Sequence, residues 1–316
     1  MKRVEINHRH ALPLVATVCA LLVIGGCSDQ EERSSQGTPA KETPVVIAVS
    51  NYPLQYFVER LAPWANVFCP AEDASDPAYW KPTVSEVTRL QQTDLIVLNG
   101  ASYETWLGNV SLSPSKVIDS AAGLSDRLIP ANEGISHSHG DEGEHEHAGT
   151  AFTLWLDMSL AVEQTRVVAA ALSARWPSRA AEIEQAYASL KRDLLAIDEE
   201  IRSVVQAAPD RPVLFSHPVY QYLERAYGLN GKSLHWEPHE MPSAEQWAEA
   251  ETLVSDHPAP WMIWEAEPSA EIVARLETRG IRSIVFDPCA GPPSEGDFLT
   301  VMKKNVVALR RVYVVR

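Results

Sequence analysis

The segment His137-Ser138-His139-Gly140-Asp141-Glu142-Gly143-Glu144-His145-Glu146-His147 sets four imidazoles and four carboxylates within eleven positions, with no hydrophobic residue among them. Such a run cannot bury a core. Neutral imidazole nitrogens and carboxylate oxygens suit borderline divalent metals, zinc above all, and the glycines leave the donors free to rearrange. An ordinary solvated loop would account for the acidic residues but not for four histidines so close together. His137, His139, His145 and His147 are therefore read as a metal-collecting loop within residues 134–150.

A second chemical position is Cys27. Lys2, Arg3 and Arg9 precede an uncharged apolar run from Ala11 to Ile24, which ends in Gly25 and Gly26 before the cysteine. That is the three-part pattern of an export signal, and the run falls short of the roughly 20 apolar residues a membrane span requires. Ile24-Gly25-Gly26-Cys27 resembles a bacterial lipobox, so Cys27 is the expected lipid attachment point; the alternative is a plain secretory signal that contains a cysteine. Ser28 to Pro44 is polar and aperiodic and reads as a tether. The expected division is 1–26 signal peptide and 27–44 lipidated tether, with the remainder outside the cytoplasm and held at a cell or outer membrane by lipid alone.

Charge narrows the partners. The chain of 316 residues has a formal net charge of -15; its leader holds Lys2, Arg3 and Arg9 against Glu5, so removing that +2 leaves -17. An acidic surface repels phosphate backbones, which argues against nucleic acid. Cys19 leaves with the leader, so Cys69 and Cys289 remain as one possible disulfide, as metal ligands or as buried thiols. No HExxH, GxSxG or phosphate-cradling glycine loop occurs, and no enzymatic activity is expected.

The elements that must position these groups follow a βαβ rhythm. VVIAV at 45–49, NVF at 66–68 and DLIVL at 94–98 read as strands, with helices from about Leu54 and near 85–92 between them. A second series reads VLF at 213–215, SLHW at 233–236, WMIW at 261–264 and SIVF at 283–286, with helices through Tyr227, from Ser243 and from Ser269. Between the series, Ile183, Tyr187, Leu190, Leu194, Ile197, Ile201 and Val204 recur at steps of four and three on one helical face. Pro177 and Pro209 bracket that helix, which at roughly 30 residues spans about 45 Å. A short coiled coil is the alternative. The spacing predicts an α/β protein of two lobes, 45–178 and 208–316, each with a mostly parallel sheet flanked by helices, joined by a linking helix at 179–207.

In this order the motifs VVIAVSNYPLQYFVERLA, KPTVSEVTRLQQTDLIVLNGASYETWL at 81–107, VIDSA at 117–121, the histidine-rich loop, LWLD at 154–157, FSHPVYQYLERAYGL at 215–229 and FDP at 286–288 resemble the cluster A-I substrate-binding proteins of bacterial zinc and manganese ABC importers, the ZnuA/TroA-like group. The resemblance covers nearly all of residues 45–310. It implies a periplasmic-binding-protein fold of the TroA-like kind, a metal held between two lobes, delivery to an ABC permease, and a monomer.

Members of that group commonly use two histidines of the first lobe and a histidine or glutamate plus an acidic residue of the second. This sequence departs from the pattern: Ala78 stands at the first histidine position and Thr153, two residues before Trp155, at the second. Alanine cannot ligate, and a threonine hydroxyl is a poor zinc ligand. In the second lobe His217 follows VLF and Asp287 follows SIVF, at strand ends where open parallel sheets place ligands. Glu237 and His239 follow SLHW, and Glu265 follows WMIW. His217, Asp287 and either Glu237 or His239 form the expected metal set, with water, Cys69 or the loop as a fourth donor. Tyr79, Trp80, Trp155, Trp236 and Trp264 are read as packing around the cleft. The expected function is capture of zinc, with manganese second, for an ABC importer. The alternative is a metal buffer or adaptor lipoprotein that has lost the cleft site and binds zinc mainly through the loop.

Overall fold

The computed structural model describes residues 44–72, 74, 77–130, 136–138, 144–146 and 150–314, with backbone only for 136–138 and 144–146. The leader, Cys27 and most of the tether lie outside the described residues, as do His139 and His147. Among the described residues no helix is long and apolar enough to cross a membrane.

The apolar runs become strands because their β-branched side chains pack on both faces of a covered sheet. In the first lobe β1 (Val46–Val49), β2 (Asn66–Phe68), β3 (Leu95–Leu98) and β4 (Val117–Asp119) form a wholly parallel sheet in the order β2-β1-β3-β4. Two crossover helices are fixed by side-chain caps. Asn51 accepts from Leu54 N at the start of α1 (Tyr52–Leu61), and Thr83 and Glu86 form a capping box on α2 (Val84–Gln92). The segment with the histidine-rich loop folds in part as an antiparallel pair, β5 (Ser136–Ser138) with β6 (Glu144–Glu146), whose register sets His137 opposite His145.

Two helices follow. Asp157 caps α3 (Met158–Arg175), and α4 (Ala180–Val205) carries the expected apolar stripe; Ile183, Leu190, Leu194, Ile197, Ile201 and Val204 are buried and Tyr187 is half-buried. With 26 residues α4 is about 39 Å long. It packs on α3 and α1, and on the last helix of the second lobe, which also begins against α1. It is thus a packed helix rather than a coiled-coil segment.

The second lobe repeats the logic with β7 (Pro212–Phe215), α5 (Gln221–Tyr227), β8 (Asn230–Ser233), α6 (Ala244–Asp256), β9 (Trp261–Trp264), α7 (Ala270–Glu277), β10 (Arg282–Val285) and α8 (Phe298–Tyr313), the sheet being parallel in the order β10-β9-β7-β8. One expectation needs correction. SLHW is not the strand: β8 is the polar run before it, and only Ser233 is shared. The cause is Gly231, where an added Cβ would come within 2.1 Å of the Phe215 ring, so a strand without an apolar pattern lies tight against β7. Leu234 and Trp236 then leave the sheet while donating to Phe215 O and Ser216 O. Trp236 is buried beside Trp247 and Trp264.

The described chain from Pro44 onward forms one compact unit. Its main core runs through both lobes, from Ile47 and Phe57 across the α4 stripe to Val213, Phe286 and Met302. Phe298, the first residue of α8, lies 5.7 Å from Tyr56 and 5.4 Å from Phe57 on α1 between ring centroids. Trp155, Trp236 and Trp264 are fully buried, and Trp80 lies edge-on to Trp106. Cys69 and Cys289 are buried free thiols.

Candidate metal centre

Every strand of the second sheet ends on the same edge, so the residues that follow them are neighbours across the sheet. Ser216 and His217 follow β7, His235 and Glu237 lie just beyond β8, Glu265 follows β9, and Phe286 and Asp287 follow β10. His217 is only 7% exposed, and its Nδ1 stands 3.7 Å from Glu237 Oε1. That is longer than a hydrogen bond, yet short enough for both groups to reach one cation. The exposed His235 meets the His217 ring edge to face at 5.9 Å.

Asp287 is oriented differently. Its Oδ1 accepts from Cys289 N at 2.7 Å, while Asn305 of α8 accepts from its backbone N–H and donates to its carbonyl. Burial raises its carboxyl pKa above the ordinary range, and raises the Cys289 thiol further still with the added charges of Asp287 and Asp297. Cys289 also takes a left-handed backbone conformation, φ 58°. Tyr220 links the two turns. It donates to Phe286 O at 2.7 Å, and complete burial, with the nearby charges of Glu265 and Asp287, holds its phenol well above its ordinary pKa.

The structure thus brings His217 and Glu237 together. His239 is exposed in the turn between β8 and α6. Among the described residues no group of three or more histidine, cysteine, aspartate or glutamate side chains is gathered closely enough to hold a metal, so Asp287 and His239 do not join the His217–Glu237 pair to make the expected triad. Asp287 Oδ1 is engaged with its own turn, and its other carboxylate oxygen is not part of that bond. Burial also raises the Cys69 thiol, to about 11.

The two first-lobe residues singled out in the sequence are both buried. Ala78 is buried in the 3₁₀ turn Pro77–Tyr79, and Thr153, 5% exposed, donates from Oγ1 to Val219 O at 2.7 Å. What the sequence reading missed on this side is a polar network at the strand ends of the first sheet. Asn51 Nδ2 donates to Asn99 Oδ1, which also accepts from Gln164 Nε2; Gln164 donates to Ser120 Oγ as well. Asn99 N is shared between Ser50 Oγ and Glu104 Oε1, and Gly100 N donates to Glu104 Oε2. Polar residues directly after the runs VIAV and LIVL were the available signal, as was His235 after β8.

The chain matches the family described as ZnuA, zinc-uptake complex component A, periplasmic, over residues 47–312. It is 25% identical over 310 residues to the zinc-binding lipoprotein AdcA of Streptococcus pneumoniae, covering 94% of this chain and 60% of that protein, so it spans about three fifths of the AdcA relatives' length. It is 24% identical over 314 residues to the high-affinity zinc uptake system protein ZnuA of Bacillus subtilis, covering 94% and 95%. Among solved structures, the metal-dependent lipoprotein YcdH of Bacillus subtilis superposes with a TM-score of 0.73 at 20% identity, covering 86% of this chain and 100% of that one. Zn(II)-bound AdcA of Streptococcus pneumoniae gives 0.72 at 21% identity, covering 87% and 59%. These likenesses establish the fold, two parallel-sheet lobes of the ZnuA/TroA kind, and with the match spanning most of its length this chain belongs to the ZnuA family.

Proposed function

We propose that this protein is an extracytoplasmic receptor that captures zinc and passes it to an ABC importer, tethered through a lipid on Cys27 after removal of residues 1–26. The observation that carries the reading is the approach of a buried imidazole, His217, to the Glu237 carboxylate at the strand-end edge of the second sheet. The names of the relatives, zinc-binding and zinc-uptake proteins, support the cargo. An imidazole donor favours zinc over manganese. Asp287, whose second carboxylate oxygen is not used by the bond to Cys289, is assigned as the third donor on metal capture, and His239 as the alternative to Glu237 from its segment. The acidic chain attracts the hydrated cation, and the loop His137, His139, His145 and His147 collects it.

A second reading, a metal buffer or adaptor relying on the loop, is favoured by one feature: the β5–β6 register sets His137 opposite His145. Metal titration of the protein with and without residues 137–147 separates the two. The receptor reading expects one zinc to remain after the deletion, with affinity falling at least roughly tenfold in His217→Ala and Asp287→Ala. Loss of all binding on deletion selects the buffer, and unchanged affinity in both substitutions rules out the assigned ligands.

A further inference from the structure

Five successive residues, 151–155, join the first lobe to the two turns of the second lobe that bear His217 and Asp287. Thr153 donates to Val219 O at 2.7 Å, and Val219 N donates back to His217 O at 2.9 Å, which closes the turn that carries the imidazole. Trp155, 1% exposed, donates from Nε1 to Pro288 O at 2.7 Å, one residue beyond Asp287. Tyr222, on the helix that leaves the His217 turn, donates to Ala151 O at 2.9 Å. The segment is itself fixed to its own lobe: Phe152 O accepts from Asn99 Nδ2 at 3.0 Å, and Ala151 N donates to Ile129 O at 2.8 Å.

The hydroxyl of Thr153 has one proton, and it is committed to a carbonyl of the opposite lobe. The indole of Trp155 likewise has one donor and no acceptor, spent on the other turn. Both donors come from one rigid stretch, so together they fix the separation of the two turns as well as the direction of each. We propose that Thr153 and Trp155 are positioning residues for metal capture, aiming the His217 and Asp287 turns from across the seam while contributing no donor to the metal. The inference rests on the reading of His217 as a ligand.

Zinc affinity measured by chelator competition on the full chain tests it. Thr153→Val keeps the branched shape and removes the donor, and weakens zinc binding about tenfold, the worth of one buried hydrogen bond. Thr153→Ser, which retains the hydroxyl, restores it, and Trp155→Phe weakens binding to a similar degree. In a His217→Ala background Thr153→Val has no further effect, because its influence runs through that side chain. Metal-free thermal unfolding of each variant checks that it is folded; should Thr153→Val fail there, Trp155→Phe carries the same comparison. Full affinity in Thr153→Val and Trp155→Phe while His217→Ala is weak overturns the positioning role and leaves the ligand reading intact. An equal loss with and without His217 also overturns it. Full affinity in His217→Ala removes the ligand reading, and the positioning role with it.

Discussion

Glu104 is a group whose surroundings, more than its identity, decide its behaviour. It closes a turn in which Gly100, Ala101 and Ser102 all have positive φ, at 76°, 52° and 66°. Two of these are not glycine, and left-handed backbone is costly for them. At Gly100 a side chain would be strained by the positive φ, and an added Cβ would meet Asp119 Oδ1 at 2.0 Å and Ala121 Cβ at 2.9 Å, so a neighbour would have to shift. The turn is held because Glu104 accepts from Asn99 N at 2.6 Å and Gly100 N at 3.2 Å. The side chain is partly exposed, but enclosure of its carboxyl group pushes its pKa up to about 7, against 4.5 ordinarily. A raised folded-state pKa means that the folded protein holds the proton more tightly. The stability contributed by protonation is full below about pH 4.5 and fades as pH rises through about 7. Relative to Glu104→Gln, the wild type is therefore expected to lose ground between pH 5 and pH 8 in urea unfolding. A gap between the two proteins that stays constant over that range would contradict this.

At the scale of elements, the strongest dependence is on α4. Leu194 is fully buried in the stripe that packs α4 against its neighbours. Leu194→Ala is expected to destabilise the protein by about 2–5 kcal/mol, through lost burial and the cavity left behind. Chemical denaturation reads this directly, and a change under about 1 kcal/mol would mean that the helix is not the backbone of the core. This helix was legible in the sequence because its apolar residues keep to one face. Its neighbour α3 was not, because Met158, Leu160, Ala161, Val162, Gln164 and Thr165 are buried almost all round and leave no stripe to read. Strands β1, β3 and β9 stood out as apolar runs, whereas β8, built of Asn230, Gly231, Lys232 and Ser233, has none. The candidate site was legible in part: His217 follows from the end of β7, whereas Glu237 was placed after SLHW, which is not a strand, and stands four residues beyond β8. The bond from Thr153 to Val219 joins residues 66 positions apart, on different lobes, and no local pattern encodes it.

For the whole molecule, binding and stability are linked. A ligand that binds the folded form alone adds about 2.7 kcal/mol when present at a hundred times its dissociation constant. For a chain of this size that corresponds to a rise in Tm of roughly 5 °C or more with zinc. The rise should shrink below about pH 6, as imidazoles protonate and release the metal. Calorimetry with and without zinc at pH 7.5 and pH 5 measures both effects, and an unchanged Tm at pH 7.5 would count against zinc as the cargo.

Phe298 has a consequence for the order in which the polypeptide can be completed. Tyr56 and Phe57 lie on α1, yet the ring that covers them belongs to α8, some 240 residues later. Until α8 has been supplied, the earlier part of the polypeptide has a gap in its interior that this helix fills. The nascent protein must wait, with apolar surface uncovered, until Phe298 has been made and delivered.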